Sequence, residues 1–82
     1  MPHVVAMGGD LGQFTGGREA FDVAATTVAG MIRELELRYP GLGDYVQRRM
    51  AIAIDGEIYQ DAYAARFTQE SEVWLIPKIA GG

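Results

Sequence analysis

The stretch MAIAIDGEIY, residues 50–59, constrains the fold of this chain more than any other. Alternating Ala and Ile suit a pleated strand, and Asp55-Gly56 is a two-residue connection of the kind that favours a type I′ turn, so the spacing predicts a β-hairpin. A two-stranded hairpin is marginal on its own, so other segments must extend its sheet. EVWLIP, residues 72–77, is one of them. Val73 and Leu75 fall on one face and Trp74 and Ile76 on the other, all four apolar, which predicts a strand covered on both sides, in the middle of a sheet. HVVAM, residues 3–7, reads as a first strand halted by Gly8, Gly9 and Asp10. LGQFTGG reads as a turn, and REAFDV as a second strand folding back on the first, with Glu19, Phe21 and Val23 on one face.

Between these strands lies one helical pattern. Thr26 or Thr27 can cap it with a hydroxyl, and Val28, Ile32, Leu35 and Tyr39 then form one stripe, broadened by Met31. Arg33, Glu34, Glu36 and Arg38 make a solvated face. Pro40 and Gly41 end the helix, after which Leu42, Tyr45 and Val46 are expected to add only one loose turn. Residues 61–71 read as a connecting loop with room for a short helical turn. The order ββαββ(β) predicts an α+β roll, a mixed sheet of four to five strands with one main helix packed on one face.

At 82 residues the chain makes one domain, which buries only about 60% of the surface its unfolded form would expose. That leaves little room for a catalytic cleft. Seven Lys and Arg against eleven Asp and Glu give a net charge of −4, the wrong sign for a nucleic-acid partner. With no Cys and one His, His3, the chain has no thiol nucleophile, no zinc cluster and no basis for a serine triad, and His3 itself reads as an exposed strand residue. The glycine pairs at 8–9 and 16–17 do not form GxxxxGK[ST], and the helix does not begin directly after them, so they read as hairpin-loop residues. No run is long enough to span a membrane, and MPHVVAMGG lacks the pattern of a signal peptide, so a cytoplasmic location is expected.

The hairpin near the N-terminus, the helix ending in RYPGL, the AIDGE turn and the ending EVWLIPKIAGG together resemble the ubiquitin-like β-grasp sulfur carriers. These include the molybdopterin synthase small subunit, the thiamine-pathway carrier and relatives serving cysteine or siderophore synthesis. The resemblance spans essentially the whole chain. It implies a β-grasp domain over 1–77 and a flexible tail over 78–82. It further implies that the Gly82 carboxylate is adenylated by a partner enzyme and converted to a thiocarboxylate. ATP and Mg²⁺ would be used by that partner, with no cofactor and no metal bound by the chain itself. Lys78, Ile79, Ala80 and Gly81 would thread the partner's channel, helped by glycine's freedom near the tip. The chain would be a protein cosubstrate rather than an enzyme, at most the small subunit of a sulfur-transferring synthase. The implied partners are the adenylating enzyme, a sulfur donor protein and an acceptor synthase subunit, with no nucleic acid, no membrane and a monomeric free state. The chain length makes a molybdopterin-type acceptor the expected one, although Lys78 stands where such carriers often have a second Pro, which leaves the pathway open.

If Val73 and Leu75 face the helix, Trp74 and Ile76 face away from it, and such a pair is the kind that marks a docking surface. Lys78 and Arg66 are candidates for charged contacts at its margin, with Lys78 equally a solvated tail residue. Two other readings use the same features: a ubiquitin-like modifier joined to proteins through Gly82, and a plain β-grasp interaction domain with an idle tail.

Overall fold

The computed structural model describes residues 1–8, 10–59 and 62–78. Its elements run β1 (His3–Ala6), α1 (Gly12–Thr15), β2 (Ala20–Asp22), α2 (Val28–Arg38), α3 (Leu42–Arg49), β3 (Met50–Ile54), β4 (Glu57–Tyr59) and β5 (Glu72–Pro77). The strands form one five-stranded sheet in the order β2-β1-β5-β3-β4. As the apolar run at 72–77 predicts, β5 takes the centre, parallel to β1 and antiparallel to β3. The two hairpins flank it. At the second hairpin Asp55 has φ 50° and Gly56 φ 87°, the two positive values a type I′ turn requires. The Asp55 carboxylate then accepts from Ser71 Oγ and the Glu72 N–H, 3.0 Å each, which fixes the entry to β5.

Helix α2 starts where a hydroxyl can serve it: Thr27 Oγ1 accepts from the Gly30 N–H at 3.0 Å. Its stripe of Val28, Met31, Ile32 and Leu35 is buried. Two expectations fail at its flanks. The segment after Pro40 is an eight-residue helix, α3, rather than a loose turn, and it buries Leu42, Gly43 and Val46. The reason lies outside the segment: Glu36 of α2 accepts from the Gly41 and Gly43 N–H groups at 2.8 and 2.9 Å, satisfying donors at the start of α3. Residues 12–15 of the expected turn form the short helix α1, closed by Gly16 at φ 67°, and Phe14 rests its ring 5.2 Å from that of Tyr45 on α3. The 62–71 connection, by contrast, holds turns and no helix, with one bridge between Thr27 and Arg66.

The core lies between one face of the sheet and the pair α2–α3. Val4, Phe21, Ile52, Ile54, Val73 and Leu75 meet Met31, Leu35, Leu42 and Val46 there. Leu11, Val23 and Phe67 close its margins. Helices thus cover one face only, and the other carries no element among the described residues.

Candidate functional site

Period-two alternation assigns the second face. From the registers, one row crosses all five strands: Ala20, Val5, Trp74, Ala53 and Ile58. Beside it Ala51 stands opposite Ile76, and at the far end Asp22, His3 and Glu72 form a polar row. Trp74 and Ile76 are half-buried, and Ile58 is 61% exposed. Ala51 and Ala53 retain only 3% and 5% of their surface although they lie outside the helix-side core. Their partners across the ladder, Ile76 and Trp74, are the large side chains in position to cover them. The expected pair of residues is therefore the middle of a wider apolar strip. Val5 was not legible as a member, because its place depends on the register between distant strands, whereas Ile58 was within reach of the sequence, since the Asp55-Gly56 turn pairs it with Ala53.

The root of the tail is held on both sides. Pro77 stands opposite Met50 on β3. Beyond it the Lys78 N–H donates to the Arg49 carbonyl at 2.9 Å, and Lys78 Nζ donates to the Gln47 carbonyl at 3.3 Å. Both acceptors belong to the last turn of α3, where carbonyls lack helical partners and a cation is favoured. On the other side the Met7 N–H donates to the Leu75 carbonyl at 2.8 Å. Residues 79–82, with the expected reactive Gly82 and the threading residues Ile79, Ala80 and Gly81, lie outside the described residues. Arg66, the other expected charged contact, is exposed and bridges to Thr27 at the start of α2. It belongs to the helix side rather than to the ladder that Lys78 extends.

Charge separates along the central strand. Arg49 and Lys78 lie at the tail end, with neighbouring Arg48 paired to Asp44 at 2.8 Å, while Asp55, Glu57 and Glu72 lie at the opposite end. No group of three or more His, Asp or Glu side chains among the described residues could hold a metal ion. The cavity beneath the helices, between Ile32, Met50, Tyr59 and Lys78, measures about 40 Å³, room for little more than a water molecule. His3 and Asp22, 3.0 Å apart, are exposed on the sheet surface, and a hydrogen-bonded pair without a cleft around it is a surface contact. Among the described residues the geometry offers an uncovered sheet face beside an anchored tail root.

A single central strand between two hairpins, with helices on one face, defines a ubiquitin-like β-grasp protein. The solved structures it is similar to agree. A chain of the BexX/CysO complex of Amycolatopsis orientalis matches with a TM-score of 0.81 at 20% identity, covering 100% of both chains. The small archaeal modifier protein 1 (SAMP1) of Methanosarcina acetivorans matches at TM-score 0.74 and 18% identity, over 99% of this chain and 95% of the other. A chain of the complex of subunits 1 and 2 of the molybdopterin-converting factor of Helicobacter pylori matches at 0.64 and 20%, over 99% and 97%. No curated protein matches by sequence. The sequence model of the ThiS family matches residues 9–82, and the chain belongs to the ThiS family. No helix among the described residues is long and apolar enough to cross a membrane.

Proposed function

We propose that this chain is a sulfur carrier, a cytoplasmic protein cosubstrate whose reactive group is the Gly82 α-carboxylate. The observation that carries the reading is the continuity of the central strand with the tail. β5 supplies Trp74 and Ile76 to the uncovered face, is pinned on both sides, and leads through Pro77 and Lys78 into residues 79–82. A partner gripping that face meets the tail root, Pro77 and Lys78, at a fixed position beside it. Orientation of this kind can contribute several kcal/mol to a reaction that the chain has no side chains to catalyse, on the order of 7–11 kcal/mol in the best cases. An α-carboxyl with an ordinary pKa of about 3.5 is ionised at neutral pH. Its oxygen attacks the α-phosphorus of ATP, pyrophosphate leaves, and an acyl-adenylate forms. A sulfide equivalent from the donor protein then attacks the carbonyl carbon, AMP leaves, and the thiocarboxylate remains. The adenylating enzyme contributes Mg²⁺ and cationic groups to the phosphate charge.

Family membership supports this reading. Fold likeness gives the molybdopterin-type acceptor no preference, since the CysO-complex chain matches at 0.81 and the molybdopterin-converting factor chain at 0.64. The likeness to a protein named as a modifier favours a second reading, conjugation of Gly82 to lysines of other proteins after the same activation. Intact mass after incubation with an adenylating enzyme, ATP and a sulfur source separates the two. Oxygen-to-sulfur exchange in the full chain and none in a chain lacking Gly82 supports the carrier. Conjugates without exchange support the modifier, and equal exchange in both chains rejects Gly82 as the reactive residue.

A further inference from the structure

The uncovered face of the sheet is apolar in its middle and charged at both ends. Trp74 and Ile76 are half-buried on it, and Ile58, in the Trp74 row, is 61% exposed. Met7, one position beyond the Ala6–Leu75 pair, adds an apolar side chain that is 52% exposed. A strip of this extent marks a surface that associates with something. Along β5 this face carries Glu72, Trp74, Ile76 and, where the ladder continues, Lys78. The Lys78 N–H bond to the Arg49 carbonyl sets Arg49 at the Lys78 level, and the Asp55 N–H bond to the Glu72 carbonyl, 2.9 Å, sets Asp55 at the Glu72 level. Two carboxylates thus stand at one end and two cations at the other, and none of the four has an ion-pair partner among the described residues.

That order of charges is complementary to itself. Sheets packed face to face keep their strands within about 30° of one another. Consider a second copy turned over by a two-fold axis that lies in the contact plane and crosses the strands at Leu75. Its β5 runs antiparallel to the first. Trp74 then lies over Ile76 of the second copy, Glu72 over Lys78 and Asp55 over Arg49, and each contact occurs twice because a two-fold interface is isologous. A two-fold axis along the strands would instead set Glu72 on Glu72 and Lys78 on Lys78, a juxtaposition of like charges that works against association. The area sets the strength. Five strands about 4.8 Å apart, and the run from Glu72 to Lys78 at about 3.3 Å per residue, make a face of roughly 24 by 20 Å. Two such faces bury on the order of 1,000 Å² together, below the roughly 1,200–2,000 Å² of a stable complex.

We propose that the free chain associates with a second copy of itself through this face, antiparallel, as a weak and dissociable dimer. Trp74 and Ile76 are its apolar anchors, and Glu72 with Lys78 and Asp55 with Arg49 are its flanking pairs. In the single chain the Lys78 ammonium rests on the Gln47 carbonyl at 3.3 Å, a contact exchanged for the Glu72 carboxylate on association. The monomeric free state that the family resemblance implies is then the dilute form. Association itself does not depend on Gly82 being activated. Its consequence rests on the carrier reading: the dimer covers the strip that the adenylating enzyme would grip, so the enzyme competes with self-association and takes up monomers only.

Sedimentation equilibrium of the full chain from about 10 μM to about 1 mM is expected to show a mass that rises from monomer toward dimer. Over the same range the emission of Trp74, the only tryptophan, shifts to shorter wavelength. Glu72→Lys and Lys78→Glu each weaken association about fivefold or more, and the double reversal returns it to within about twofold of the original. Ile76→Glu abolishes it, while thermal unfolding shows that every variant is folded. A chain that stays monomeric to about 1 mM, the result if its own tail or nothing at all covers the strip, overturns the proposal. Single reversals without effect, a double reversal that restores nothing, or association that survives Ile76→Glu overturn it as well. No adenylating enzyme enters this experiment, so its failure is distinct from failure of the carrier reading, which the adenylation assay decides.

Discussion

Trp74 stands directly opposite Ala53 across the β3–β5 ladder and opposite Val5 across the β1–β5 ladder. The largest side chain of the uncovered face thus has a small neighbour on one side and a medium one on the other. If this strip is the docking face, Trp74→Glu weakens binding to the adenylating enzyme at least tenfold, about 1.4 kcal/mol or more. Folding stability changes by no more than about 1 kcal/mol, because no helix packs on that side. A binding titration run beside thermal unfolding checks both parts. A large loss of stability with unchanged affinity of the folded fraction would show that Trp74 serves the fold alone.

The next two residues make a sharper contrast. Leu75 is fully buried against the helices, and Ile76 is half-buried on the opposite face. Leu75→Ala is expected to cost about 2–5 kcal/mol, a lost transfer energy plus a cavity. Ile76→Ala, next to it, costs clearly less, since its site borders solvent and leaves no enclosed void. Urea unfolding of the two variants measures the difference, and equal losses would contradict the assignment of faces.

The central place of β5, the Asp55-Gly56 hairpin and a hydroxyl cap at Thr26 or Thr27 were legible because each rests on local chemistry: continuous apolarity, two positive φ values, one hydroxyl; the structure selects Thr27. Helix α3 was not. Gly41 and Gly43 within a few residues of Pro40 speak against a helix, and what offsets them is a carboxylate from α2, eleven residues of helix that the local pattern cannot bring into view. The spacing Leu42, Tyr45, Val46 holds the i, i+3 and i+4 signal, but three apolar residues flanked by two glycines and a proline specify no more than a turn by themselves. For the site, alternation alone separated Trp74 and Ile76 from the core, while Val5 and the two alanines needed the register. The tie between Lys78 and the end of α3 joins segments thirty-one residues apart, and no sequence pattern points to it.

The polar row at the start of β5 sets a pH test. His3 Nδ1 lies 3.0 Å from Asp22 Oδ1, and this hydrogen bond, aided by the His3, N-terminal and Arg38 charges, holds the Asp22 carboxyl below its ordinary value. A depressed folded-state pKa stabilises the fold above the unfolded value near 3.8, and that contribution disappears as pH falls through the lower folded value. Because both side chains are exposed, the effect on stability is small, and the carboxyl itself is the better reporter. Its NMR titration midpoint is expected to rise in His3→Ala. An unchanged midpoint would mean that His3 does not hold Asp22 in solution.

The junction between α2 and α3 gives the last prediction. Glu36 accepts from the Gly41 and Gly43 N–H groups, and a Cβ added at Gly43 would stand 2.9 Å from the Ile32 carbonyl oxygen and 2.9 Å from Glu36 Cβ. Glu36→Ala leaves both donors without their partner, at a cost of about 1–3 kcal/mol. Gly43→Ala gains about 1 kcal/mol of helix propensity, but the close backbone contact forces the helices apart at about 1–3 kcal/mol, so a net loss is expected. Once the added methyl group has displaced α3, the N–H groups no longer reach Glu36, and removing that carboxylate costs less. The double variant should therefore lose less stability than the sum of the two single losses. Urea unfolding of all four chains, with m-values compared to confirm two-state behaviour, measures the coupling. A stabilised Gly43→Ala, or strictly additive losses, would show that the carboxylate and the glycine act independently and that α3 owes its existence to its own sequence.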